Sequence, residues 1–178
     1  MQRSEHVQQM AAYNAWMNER LYEAARSLPD AELAAQRGAF FGSILGTLNH
    51  LVVADRIWLG RYARHPACTE VLAPIERITP AARLDQPMAD DIRALGTLRA
   101  GLDELITRLA QHLTEADLDS TLAYHNTKGI AAQKNFFALL MHLFNHQTHH
   151  RGQATTLLRQ AGVDVGVTDL LALIADAP

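Results

Sequence analysis

Residues 141–153, MHLFNHQTHHRGQ, hold four of the chain's nine histidines: His142, His146, His149 and His150. Imidazole can ligate a metal, shuttle a proton or simply form hydrogen bonds. Its placement on the local element therefore decides between a metal site, a catalytic base and an ordinary polar helix face. With His146 at zero on a helical wheel of about 100° per residue, His150 falls near ~40°, among Leu139 (~20°), Leu157 (~20°), Leu143 (~60°) and Phe136 (~80°). On the same wheel His142 and His149 fall at roughly −40° and −60°, at the polar edge of that arc. Two histidines thus face inward and two lie at the boundary. Imidazoles at i and i+4 can share one ion. The alternative is a pair of buried histidines, each satisfied by a hydrogen bond.

Near-miss motifs narrow the chemistry. HQTHH has the His-x-x-x-His frame of zinc peptidases, but Gln147 stands where their glutamate base would be. No histidine has a glutamate three residues before it, so the Glu-x-x-His signature of di-iron bundles is missing. There is no Cys-x-x-Cys and no phosphate-cradling glycine loop. A mononuclear site built from histidines remains. Two imidazoles alone hold an ion weakly, and further ligands in a bundle come from facing helices. The second helical segment offers His50, in TLNHLVVADRIWLGR, with Gly46, Thr47 and Ala54 about a turn away. Small neighbours suit a ligand pocket and tight helix packing equally. Three neutral imidazoles would leave a divalent ion charged, with a coordination position open, which is the catalytic rather than the structural type. Such an ion lowers the pKa of bound water or thiol and polarises an oxygen. Zinc fits best by ligand type, and nickel or iron are credible because imidazole suits all three.

The elements that must position these residues are helices. Apolar periodicity predicts four, at about Glu5–Ser27, Ser43–Ala63, Ala89–Leu113 and Lys134–Ala161. Ser43 is a candidate N-cap, and Gly162 a stop. Between the second and third helices lies a crossover of roughly 24 residues with Pro66, Pro74, Pro80 and Pro87, long enough to permit an order other than simple up-down-up-down. Thr121–Gln133 carries a turn signal at Asn126–Gly129 and suggests a short hairpin. The late stretch VTDLLALIA suggests one or two helical turns. The expected fold is an all-α four-helix bundle, a single domain over residues 1–178. The second helix is apolar almost all round, so it needs cover on two sides, for which a dimer partner is one candidate.

Other residues are read more plainly. Gln153 can line the pocket or hydrogen-bond a ligand histidine. Arg151 is expected in packing or at an interface, His142 ranks below His50 as a ligand, and His149 is expected in solvent. His125 and Tyr124 could reach an open bundle end. Cys68 reads as a small hydrophobe. Asp55, five residues from His50, points elsewhere and is not assigned as a base. Trp16 and Trp58 read as core. Asp103-Glu104 and Asp90-Asp91 read as solvated faces, the second pair at a helix start.

Composition sets the outer limits. The chain has 178 residues, is 48% hydrophobic and 20% charged, and has a formal net charge of −3. That charge argues against a dedicated nucleic-acid or anionic-membrane binder, though not against a local basic patch. One cysteine precludes an intrachain disulfide. The N-terminal MQRSEHVQQM lacks the apolar core of a signal peptide, and SILGTLNHLVVADRIWLG is interrupted by Asn49, His50, Asp55 and Arg56. A cytoplasmic protein is expected.

The stretches AYNAWMNERLYEAA, GSILGTLNHLVVADRIWLGR and FNHQTHHRGQ together resemble the DinB family of four-helix metallo-bundles. The His-x-x-x-His-Arg-Gly-Gln run, an upstream Leu-x-His and a downstream tryptophan carry the likeness, which spans nearly the whole chain. The resemblance implies a three-histidine metal site at His50, His146 and His150, and a homodimer. It does not imply DNA binding, since the family name refers to damage-inducible expression. Characterised relatives include transferases and isomerases that use low-molecular-weight thiols such as bacillithiol or mycothiol. The resemblance therefore suggests a metal-dependent thiol S-transferase or hydrolase acting on a small electrophile. The competing reading is a non-catalytic, metal-binding stress-response dimer.

Overall fold

A computed structural model describes residues 1–176. Its long helices are α1 (Arg3–Ala25), α3 (Ile44–Tyr62), α4 (Ile92–His112) and α6 (Phe136–Gln160), with short helices α2 (Asp30–Ala34) and α5 (Glu115–Asp119) between them. The long helices match the four expected from periodicity, and the fold is broadly all-α. Local chemistry sets their ends. Ser43 Oγ accepts the Gly46 N–H at 3.0 Å to start α3, and Asp91 caps α4 by accepting from Arg93 and Ala94. Gly162 ends α6 with φ of +83°. Lys134 lies in a strand rather than in α6: β1 (Thr121–His125) pairs antiparallel with β2 (Ala131–Asn135), in register from Thr121↔Asn135 to His125↔Ala131. Leu170–Leu173 form a 3-10 turn, as the late apolar stretch suggested.

The helix order is not sequential. α1 packs on α4 and α6, and α3 packs on the same two, so α1 and α3 stand diagonally across the bundle. The segments from α1 to α3 and from α4 to α6 span the diagonals, whereas the crossover joins the neighbours α3 and α4. The crossover also packs on the outer side of α3. Each polar interruption of the apolar α3 run has a task. Asn49 accepts from the Met88 and Ala89 N–H groups at 2.6 and 3.2 Å and donates to the Ala89 carbonyl at 3.1 Å. His50 Nδ1 reaches the Leu84 carbonyl at 2.9 Å, and Arg56 Nε donates to the Ile78 carbonyl at 2.8 Å. Asp55 turns the other way, into the bundle. Buried backbone and side-chain polar groups need such partners, and here they stitch the crossover to the helix.

Leu21, Leu48, Leu59, Leu102, Phe136 and Leu158 belong to the central core, with Tyr62 donating to the Leu139 carbonyl at 2.7 Å. Met17 and Tyr13 of α1 are buried. Trp16 and Trp58, expected in the core, are instead half-buried at its edge, each with a guanidinium over its ring: Arg20 at 5.1 Å and Arg61 at 4.5 Å. An indole with one face packed and the other under a cation needs no full burial.

Asp103 corrects the sequence reading more strongly. Expected in solvent beside Glu104, it is buried, and Glu104 alone is exposed. Asp103 accepts from Asn14 at 2.9 Å, Asn18 at 2.9 Å and Arg99 Nε at 3.0 Å. Arg99 also pairs with Asp55 at 2.7 Å. Arg151 donates to Asn14, lies 5.3 Å from the Tyr13 ring centroid and is almost wholly buried. One chain of contacts therefore links α6, α1, α4 and α3. Burial pushes the Asp103 carboxyl up to about 6, against the pull of Arg99. Such a network contributes little net stability against an apolar core, but its donors and acceptors meet only in one axial register.

Candidate metal centre

α3 carries His50 and α6 carries His146 and His150. The network just described holds these helices in register, because Asp55 lies little more than one turn beyond His50 and Arg151 directly follows His150. The three histidines meet. One ligand atom from each lies within 4.8 Å of the others, and His50 Nε2 is 3.2 Å from His146 Nε2. Two nitrogens on one tetrahedral zinc, each at about 2.0–2.1 Å, would stand roughly 3.3 Å apart. The donor set therefore fits a divalent ion. The same contact also serves a metal-free pair in which His146 Nε2–H donates to His50.

Hydrogen bonds set which nitrogen each ring presents. His50 Nδ1–H donates to the Leu84 carbonyl, which leaves the Nε2 lone pair toward the cluster. His150 Nδ1–H donates to Gln153 Oε1 at 2.8 Å, with the same result, and the Gln153 amide donates in turn to His149 Nε2 at 3.1 Å. Gln153 is thus the partner of His150, as its position on the wheel allowed. His146 Nδ1 is buried and has no partner among the described residues.

Burial keeps the cluster neutral. It lowers all three imidazoles below their ordinary range, and His146, flanked by His150 and His50, falls to about 3. Neutral imidazole is the ligating form. His50 is buried and the other two are half-buried. On the His50 side Phe41 closes the cluster, its ring stacked on His50 at 3.8 Å and 17° and edge-on to His150 at 5.6 Å. Gly46 permits this closure: a Cβ there would sit 2.1 Å from the Phe41 carbonyl oxygen. The space beside His50 that the small residues suggested is filled by a loop.

The remaining candidates stay outside the cluster. His142 and His149 are exposed, as their boundary positions implied; His142 packs edge-on to Trp58 at 4.9 Å and is 6.0 Å from His146. His125 is exposed on β1, while Tyr124 is buried against Trp58 at 5.4 Å. Cys68 is buried, and burial pushes its thiol up to about 12, which suits a small hydrophobe and not a nucleophile. Sequence reasoning missed Phe41, Leu84 and the Asn14–Asn18–Arg99–Asp103 group. Asn14/Asn18 and Arg99/Asp103 are both i, i+4 pairs beside apolar stripes, a spacing that could have flagged them. Nothing local marks Leu84, since it contributes a backbone oxygen.

The DinB family model matches residues 1–177. The chain is 27% identical over 157 residues to Protein DinB of Bacillus subtilis (strain 168), covering 88% of this chain and 87% of that protein. A crystal structure of a DinB-like protein from Bacillus cereus ATCC 10987 superposes with a TM-score of 0.58 at 23% identity, over 85% of this chain and 89% of that one, which shows a shared fold. No helix among the described residues is long and apolar enough to cross a membrane.

Proposed function

The chain belongs to the DinB family, and from that premise we propose that His50, His146 and His150 hold one divalent ion that serves catalysis on a small electrophile, with a thiol or water as the attacking group. The observation that carries this reading is the convergence of three neutral imidazoles, two of which present Nε2 because their Nδ1–H groups are engaged elsewhere. Zinc suits these ligands best, and nickel or iron would accept them. When bound, the ion would acidify a coordinated water or thiol and polarise a substrate oxygen.

The protein's own part is positioning. The Leu84 carbonyl and Gln153 fix the ring orientations of His50 and His150. Phe41 shields the His50 face from water, and the half-buried His146 and His150 are the side from which a substrate would approach. Asp55 is committed to Arg99 and so is not a base at this site.

Elemental analysis of untagged protein tests the reading, with His50→Ala, His146→Ala and His150→Ala alongside. The expected result is about one ion per chain, lost in each variant, as a site with only three protein ligands requires. Turnover of a model thiol with a model electrophile, abolished in the same variants, completes it. Metal-free protein, with variants that differ only in stability, would make these histidines core hydrogen-bonders. Metal without turnover of any thiol or hydrolytic substrate would leave a binding protein rather than an enzyme.

A further inference from the structure

Between α3, the crossover and the β1 strand lies a cavity of about 460 Å³, whose lining includes Arg56, Gly60, Arg61, Arg64, Glu76 and His125. Three guanidiniums against one carboxylate make a local positive excess in a chain whose net charge is −3. None of the three arginines forms an ion pair among the described residues. Glu76 is exposed and does not close on them.

Two of the guanidiniums are held without using up their donors. Arg61 lies 4.5 Å from the Trp58 ring centroid and 5.1 Å from that of Tyr124, and its guanidinium makes no hydrogen bond among the described residues. Stacking on π faces fixes its plane and leaves its N–H edges free for an oxyanion. Arg56 is only 9% exposed; its Nε donates to the Ile78 carbonyl, which leaves its two terminal nitrogens available. α3 accommodates it with Gly60, in its last turn. A Cβ at Gly60 would lie 2.9 Å from Arg56 Nη1. Burial lowers both Arg56 and Arg61 below the ordinary guanidinium range, and the nearby Arg64 adds to the effect on Arg61. The charge of Glu76 partly offsets this at Arg56, though without an ion pair.

We propose that this cavity binds a small molecule carrying paired oxyanion oxygens, a phosphate monoester or a dicarboxylate, with Arg61 and Arg56 as the forked donors and Arg64 at the mouth. Arg-fork recognition of carboxylate and phosphate is the interaction for which this geometry is suited. The site is independent of whether the histidines hold a metal. It is nonetheless near them, because Trp58, under Arg61, contacts His142, which neighbours His146.

The test is isothermal titration calorimetry on the full chain at neutral pH and constant ionic strength, with inorganic phosphate and malonate as separate probes and a chelator present throughout. Saturable one-to-one binding is expected for at least one probe. The preferred anion then identifies the ligand as a phosphate or a dicarboxylate. Arg61→Gln should weaken binding about tenfold or more, as loss of a charged hydrogen-bonding group does. Arg64→Gln, a substitution at an exposed position that leaves the fold intact, should weaken it less. Gly60→Ala should weaken it by displacing the Arg56 guanidinium. His146→Ala and the remote Arg93→Gln should bind as wild type. No saturable binding of either anion, binding that survives Arg61→Gln, or binding lost with His146→Ala would overturn the proposal.

Discussion

Replacing Gly46 with alanine separates two opposing effects by sign. Alanine is ordinarily the better helix residue, by about 1 kcal/mol in a helix interior. At Gly46 its Cβ would lie 2.1 Å from the Phe41 carbonyl oxygen. Ordinary carbon–oxygen contacts begin near 3.3 Å, so the overlap exceeds about 1 Å. The oxygen cannot simply retreat, because it accepts the Ser43 N–H at 2.9 Å, in the turn that starts α3. Overpacking costs roughly 1–3 kcal/mol and the strained hydrogen bond about 1 more, so the net expectation is a loss of about 2 kcal/mol. For a chain of this size that is a fall in Tm of roughly 4–8 °C. Gly101, inside α4, has nothing within 4 Å of its would-be Cβ. There the same substitution should raise stability by about 0.5–1 kcal/mol. Urea unfolding of both variants, with metal chelated, reads the two signs. Gly46→Ala should also lift the Phe41 ring from His50 and rehydrate it, so the His50 titration followed by NMR should move up toward the ordinary range. If Gly46→Ala proved as stabilising as Gly101→Ala, the account of how this loop is seated on the histidine cluster would be wrong.

Three further outcomes follow from the core and the cluster. Arg99→Met leaves the buried carboxylates of Asp55 and Asp103 without their cation and should cost about 3–5 kcal/mol at neutral pH. Because Asp103 is already pushed up to about 6, the cost should shrink toward acid pH in urea melts of the variant; a cost independent of pH would contradict the assignment. In metal-free protein the lowered pKa values of His146, His50 and His150 mean that the unfolded chain binds more protons than the folded one below the ordinary histidine pKa. Stability should therefore be complete above about pH 6.5 and decline as pH falls toward 3, by at most about 1.4 kcal/mol per pH unit for each group, and by less where solvent reaches the ring. A melting series that is flat across this window would refute it. The Cys68 thiol, buried and pushed up to about 12, should resist alkylation in native protein and react at an ordinary rate once unfolded; rapid native labelling would place it at the surface instead.

The sequence alone determined the elements and the ligand set it could offer. Apolar spacing fixes four long helices, because a stripe at the helical period must be buried, and the same rule puts His146 and His150 inward and His142 and His149 at the edge. Ser43, Asp91 and Gly162 mark ends because capping is local chemistry. Tertiary structure alone decided who meets whom. Asp103 reads as a surface acid beside Glu104, yet lies buried because Asn14, Asn18 and Arg99 reach it from two helices. The crossover packs on the outer side of α3, and the partner of His50 is the Leu84 carbonyl, a backbone atom that no side-chain pattern announces. The three-arginine cavity likewise assembles from α3 with the crossover and a β1 histidine folded beside it. Periodicity is written along one chain segment, whereas a contact between segments depends on the axial register of two, and that register is fixed only when the buried polar groups of the whole bundle find their partners at once.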